Sequence, residues 1–129
     1  MKLGYTIIYV ADVPATVGFY ERAFGLGCRF VHESNLYAEM ETGETVLAFA
    51  GEPMAEMNGL AIRPNRNTEI AAGFEIAFVT DDPRTAYATA VAAGAAAIKP
   101  PAEKPWGQVV GYVRDPNGCL IEICSAVGG

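Results

Sequence analysis

The chain is short of the residues from which metal centres and nucleophilic sites are built. Histidine occurs once, at His32, and the three cysteines, Cys28, Cys119 and Cys124, lie in apolar surroundings without metal-ligand spacing. Reduced core thiols are the expected state. No nucleophile stands beside a base in a Ser-His-Asp arrangement, and no glycine-rich loop is present to cradle a phosphate. Nine Lys and Arg against 15 Asp and Glu leave a net charge of -6, without the basic stripe that would release counterions from nucleic acid. That balance argues against a nucleic-acid partner and favours cationic or neutral ligands. No apolar run approaches the ~20 residues that span a bilayer, and Met1 to Tyr5 carries no signal pattern. The expectation is a cytoplasmic protein with no membrane partner.

What the chain does have is a core and a repeat. A composition of 51% hydrophobic and 19% charged residues over 129 positions is that of a globular protein, able to bury roughly two-thirds of its unfolded surface. Sliding the sequence by 69 positions aligns Ile7 with Ile76, Val10 with Val79, Asp12 with Asp81, Pro14 with Pro83, Thr16 with Thr85, Ala23 with Ala92 and Gly25 with Gly94. The chain therefore reads as a tandem of two similar modules, 1–50 and 74–129, joined by a connector, 51–73, within one structural domain. In the first module Thr6 to Val10 suits a strand, Asp12 caps a helix with Pro14 in its first turn, and Gly25 ends it. The second repeats this grammar: Glu75 to Val79 as strand, Asp81 as cap, Pro83 opening the helix and Gly94 closing it. Three strand-like segments follow each helix, turning at Thr42-Gly43 in the first module and at Pro116-Asn117-Gly118 in the second. Each module predicts β-α-β-β-β, an α+β class. A short helical turn is expected near Met54 to Met57.

Strand alternation with the register so assigned puts Tyr5, Leu47, Phe49 and Phe74 on one face, with Tyr112 able to join them. Such aromatics serve a core as readily as a pocket. Trp106, in Pro105-Trp106-Gly107, falls in a strand-entry loop suited to a cleft rim. Alternation turns Glu75 away from Phe74, towards the helix side.

The tandem modules carry Val-Ala-Asp-Val-Pro at 10 to 14, then Phe19 to Leu26, and close on Val113-Arg114-Asp115-Pro116-Asn117-Gly118 before Ile121-Glu122-Ile123. Together they resemble the vicinal oxygen chelate superfamily of glyoxalases, bleomycin-resistance proteins and extradiol dioxygenases. The resemblance covers nearly the whole chain. It implies curved, cup-like half-barrels, frequent homodimers, and in the enzymes a divalent metal held by His, Gln or Glu from both modules. The four matching positions here read Tyr5, Leu47, Phe74 and Glu122, with one good donor among them, so no metal cofactor is expected. The function implied is that of the metal-free, drug-sequestering branch associated with antibiotic resistance. The ligand would be a small aromatic or amphipathic, possibly cationic, molecule held by Tyr5, Leu47, Phe49, Phe74, Trp106 and Tyr112 above Glu122. The alternative is an enzyme: a lyase or dioxygenase recruiting one divalent metal ion through Glu122, Glu75 and His32, or a metal-free isomerase with Glu122 as its base.

Overall fold

A computed structural model describes residues 1–128. The chain divides into two compact units, Met1–Asn65 and Arg66–Gly129, so the boundary falls inside the expected connector. Each unit is built on one four-stranded mixed sheet.

In the first unit β1 (Tyr5–Val10) leads into α1 (Val13–Phe24), followed by β2 (Gly27–Val31), β3 (Tyr37–Glu41), β4 (Val46–Gly51) and the short α2 (Glu52–Met57). The sheet order is β1-β4-β3-β2, with β1 and β4 parallel and the other pairs antiparallel. Helix α1 begins where the sequence places it: the Ala15 amide donates to Asp12 Oδ1 at 3.0 Å, satisfying one of the helix's unpaired amides. It ends at Gly25, whose φ of 66° is the left-handed conformation a glycine adopts without a Cβ penalty. Val13, Val17, Phe19, Tyr20 and Ala23 form its buried face. Tyr20 packs on Phe49 of β4 with ring centroids 4.8 Å apart. Each such large side chain contributes about 1.5–3 kcal/mol through burial.

That contact corrects the expected face of β4. Ile8 pairs with Phe49 and Thr6 with Leu47, and residues paired across a ladder share a face. Leu47 (4% exposed) and Phe49 (0%) therefore belong to the core with Ile8 and α1, not to the open face. On the open face, Tyr5, Ile7 and Tyr9 stand beside Val46, Ala48 and Ala50.

The second unit runs β5 (Glu75–Val79), α3 (Pro83–Ala92), β6 (Ala96–Glu103), β7 (Val109–Arg114) and β8 (Leu120–Cys124), in the sheet order β5-β8-β7-β6. The helix cap differs from expectation. Asp82, not Asp81, is the N-cap, its Oδ1 accepting from the Thr85 amide at 3.2 Å. Asp12 and Asp82 are 70 positions apart, so the structural repeat at the helix start is one residue longer than the 69 of the sequence match. Helix α3 is two residues shorter than α1, 10 against 12. The slide by 69 returns by the helix end, where Gly25 and Gly94 both have positive φ.

The hairpin joining β7 and β8 is tied down by side chains. Asp115 Oδ1 accepts from the amides of Asn117 and Cys119 at 2.9 and 2.8 Å, the turn chemistry an aspartate supplies. Arg114 donates to Gly118 O at 2.8 Å and to Glu69 O at 2.7 Å, clamping the start of the second unit against this turn.

Candidate functional site

The one-residue offset decides what the second sheet presents. Glu75 pairs with Leu120, Ala77 with Glu122, Val79 with Cys124, and Tyr112 with Glu122. Glu75, Glu122, Tyr112 and Cys124 thus share one face, while Ile121 and Ile123, both buried, point the other way. The expectation that Glu75 turns to the helix side is overturned, because the face of a strand flips with a register change of one. Phe74 lies just before β5 and is 42% exposed.

The two carboxyls interact directly. Burial, then the charge of Glu122 and a hydrogen bond to it, push the Glu75 carboxyl above its ordinary value. A carboxyl beside a second negative charge gives up its proton less readily, and that is the direction of the shift at Glu75. The Tyr112 hydroxyl donates to Glu122 Oε1 at 3.3 Å, and its pKa is raised by burial and by Glu122 and Glu75, so it remains a donor. Cys124 is pushed up to about 11, first by burial and then by its hydrogen bond to Glu122. A thiol so protonated is no nucleophile at neutral pH. Cys119, buried beside Asp115, is pushed up to about 12 and is equally inert.

Beside this group is a cavity of about 300 Å³ lined by Lys99, Pro100, Ala102, Lys104, Val110 and Tyr112. Strand β6 makes it: Lys99 pairs with Tyr112 and Ala102 with Val110, and the irregular ladder between them holds Pro100 and Pro101. Proline cannot donate to a ladder and is tolerated at such a bulge. Trp106 stands in the β6–β7 turn, 59% exposed, its indole donating to Gln108 Oε1 at 2.8 Å. Gln108 in turn donates to Ser125 O at 2.9 Å. The indole is positioned, with its ring left open to solvent. The two lysines escaped the sequence reading, although Lys-Pro-Pro-Ala-Glu-Lys-Pro-Trp at 99 to 106 carries two of the chain's three lysines in a proline-rich run.

In the first unit Tyr5 is 56% exposed. Its neighbour on that face is Tyr37, which donates to Glu39 Oε2 at 2.8 Å and is pushed up to about 12 by burial and that bond, with a smaller contribution from Tyr5. His32 sits after β2, where its Nδ1 is 2.8 Å from Ser34 Oγ and accepts from the Ser34 amide, an arrangement that serves the turn. Among the described residues no three His, Cys, Asp or Glu side chains are grouped to hold a metal ion.

The model of the Glyoxalase/Bleomycin resistance protein/Dioxygenase superfamily matches residues 2–123. The chain belongs to this superfamily. It is 30% identical over 125 residues to the uncharacterized protein YraH of Bacillus subtilis (strain 168), covering 95% of this chain and 97% of that one. A glyoxalase-related enzyme from Fulvimarina pelagi superposes with a TM-score of 0.83 at 23% identity, over 98% of this chain and 88% of that one. A glyoxalase/bleomycin resistance protein/dioxygenase family enzyme from Burkholderia phytofirmans PsJN gives 0.82 at 24% identity, over 98% and 100%. These likenesses are to the fold. Within the superfamily's fold the repeat-related positions, taken from the ladders, are Tyr5 with Glu75 and Ala48 with Glu122, replacing Phe74 and Leu47 of the sequence count. The donor set rises from one carboxylate to two. That remains short of the three protein ligands of a catalytic zinc site, and Ala48 offers no donor, so these residues do not fit a divalent metal.

Proposed function

We propose that the protein binds a small aromatic or amphipathic molecule without a metal, on the open face of the second sheet, and that the ligand presents a cationic group to Glu75 and Glu122. The observation that carries this reading is that the ladders put Glu75 and Glu122 on one face with Tyr112, whose hydroxyl donates to Glu122. An ammonium arriving there meets both acids and relieves the repulsion between them. Exposed Trp106 supplies a stacking surface at the rim. A small-molecule partner of this kind suits the sequestering branch of the superfamily. A second reading, metal-free proton transfer, rests on the raised pKa of Glu75, which is the kind of tuning a general acid or base requires.

The test is a titration with 3-phenylpropylamine, followed by Trp106 fluorescence and calorimetry. Glu75→Gln and Glu122→Gln should each weaken binding about tenfold, the loss expected for one charge-assisted contact. Affinity should rise with pH through the raised Glu75 pKa, because the cation competes with the proton held there. Unchanged affinity in both variants would overturn the reading. So would one equivalent of bound metal per chain that the same substitutions abolish.

A further inference from the structure

We infer that the cavity beside Tyr112 receives a carboxylate, and hence that the ligand is a zwitterion with its charges at opposite ends of a compact apolar body. This rests on the reading of Glu75 and Glu122 as the cation end. In a chain of net charge -6, two of only three lysines line this one cavity. Among the described residues neither ammonium takes part in an ion pair. Pro100, Ala102 and Val110 complete the lining with apolar surface, the kind of surface that lysine stems cover while their charged heads stay available to an anion.

The cavity is also held in shape. Pro101 lies over Gly111, where an added Cβ would come within 3.0 Å of the proline ring, and its carbonyl accepts from Arg84 at 2.9 Å. The bulge is thereby locked on the helix side, which leaves Pro100 as the lining residue. The lysines and the acids are linked by one side chain: Tyr112 lines the cavity and donates to Glu122. Lys99 pairs with Tyr112 and Tyr112 with Glu122, so the cationic and acidic positions are two ladder steps apart. That spacing is about 10 Å between backbones. An aromatic or alicyclic ring with its two charges at opposite ends matches a separation of that order. A cavity of about 300 Å³ admits such a ring.

The experiment compares three probes by calorimetry: 4-(aminomethyl)benzoate, which carries both charges, 3-phenylpropylamine and 3-phenylpropionate. The zwitterion should bind the unmodified protein about tenfold or more tighter than either single-charge probe, one further charged contact being worth about that factor. In Lys99→Gln/Lys104→Gln it should fall to the affinity of the amine, whose own binding stays unchanged. Equal binding of amine and zwitterion, with both indifferent to the lysine substitutions, overturns the carboxylate site and leaves the cation end standing. Failure of all three probes to bind at millimolar concentration overturns both. Circular dichroism of the double variant checks that its fold is intact, as one exposed and one half-buried lysine lead one to expect.

Discussion

At Gly118 two constraints meet that are separate elsewhere in the chain. Its φ is 89°, and a Cβ built on it would stand 2.5 Å from the Arg66 carbonyl oxygen and 2.7 Å from Arg114 Nη2. Gly43 has a similar φ of 92° but open space around it. Replacing Gly43 by Ala should therefore cost only the backbone strain, about 1 kcal/mol. Gly118→Ala should cost about 3 kcal/mol, because the backbone of residue 66 and the guanidinium that clamps it must both move. Urea unfolding of the two variants measures the difference, and equal losses would mean that the clamp by Arg114 contributes nothing. The Asp-Pro-Asn-Gly turn was legible in the sequence. That its glycine also makes room for a segment some fifty residues earlier was not, since nothing local records what crosses a turn.

The helices show the same division at the scale of an element. Helix α1 buries six residues and α3 buries two, Pro83 and Ala90, so α3 leans more heavily on its cap. Asp82 carries that role: its carboxyl pKa is lowered, first by hydrogen bonds from Thr85, and Asp81 makes no such contact. A lowered carboxyl stabilises the fold at pH values above its unfolded pKa and loses that effect as pH falls through its folded value. Asp82→Ala should lower the thermal midpoint at neutral pH by a few degrees, with the difference shrinking in acid. Asp81→Ala should leave the midpoint unchanged. The reverse ranking in a melting experiment would restore the repeat of 69 at the helix start. Two adjacent aspartates before a proline are equivalent as sequence, and only the folded backbone shows that Asp82 is the one that accepts from the Thr85 amide.

For the whole molecule the open question of assembly follows from strand edges and exposed apolar side chains. Within each unit two strands have one unpaired edge: β1 and β2 in the first, β5 and β6 in the second. Phe30 and Ile98, on β2 and β6, are 42% and 48% exposed. Edges of this kind are covered in most proteins. A homodimer is the expected state, with a mass by light scattering of twice the chain's 13.7 kDa. A monomer at high micromolar concentration would refute it. No helix of the described residues is long and apolar enough to cross a membrane.

The sequence by itself determined the two β-α-β-β-β modules, the helix stops at Gly25 and Gly94, and the turns at Gly43 and Gly118. All of these rest on local chemistry: caps, left-handed glycines and a hydrophobic period. Tertiary structure alone decided which strand faces point away from the helices. Leu47 and Phe49 went to the core, Glu75 joined Glu122, and Lys99 and Lys104 met across a proline bulge. The physical reason is the two-residue period of a strand. An offset of one position exchanges core for open face, and identities between repeats constrain that offset less tightly than the packing of Ile8 and Phe49 against Tyr20 does.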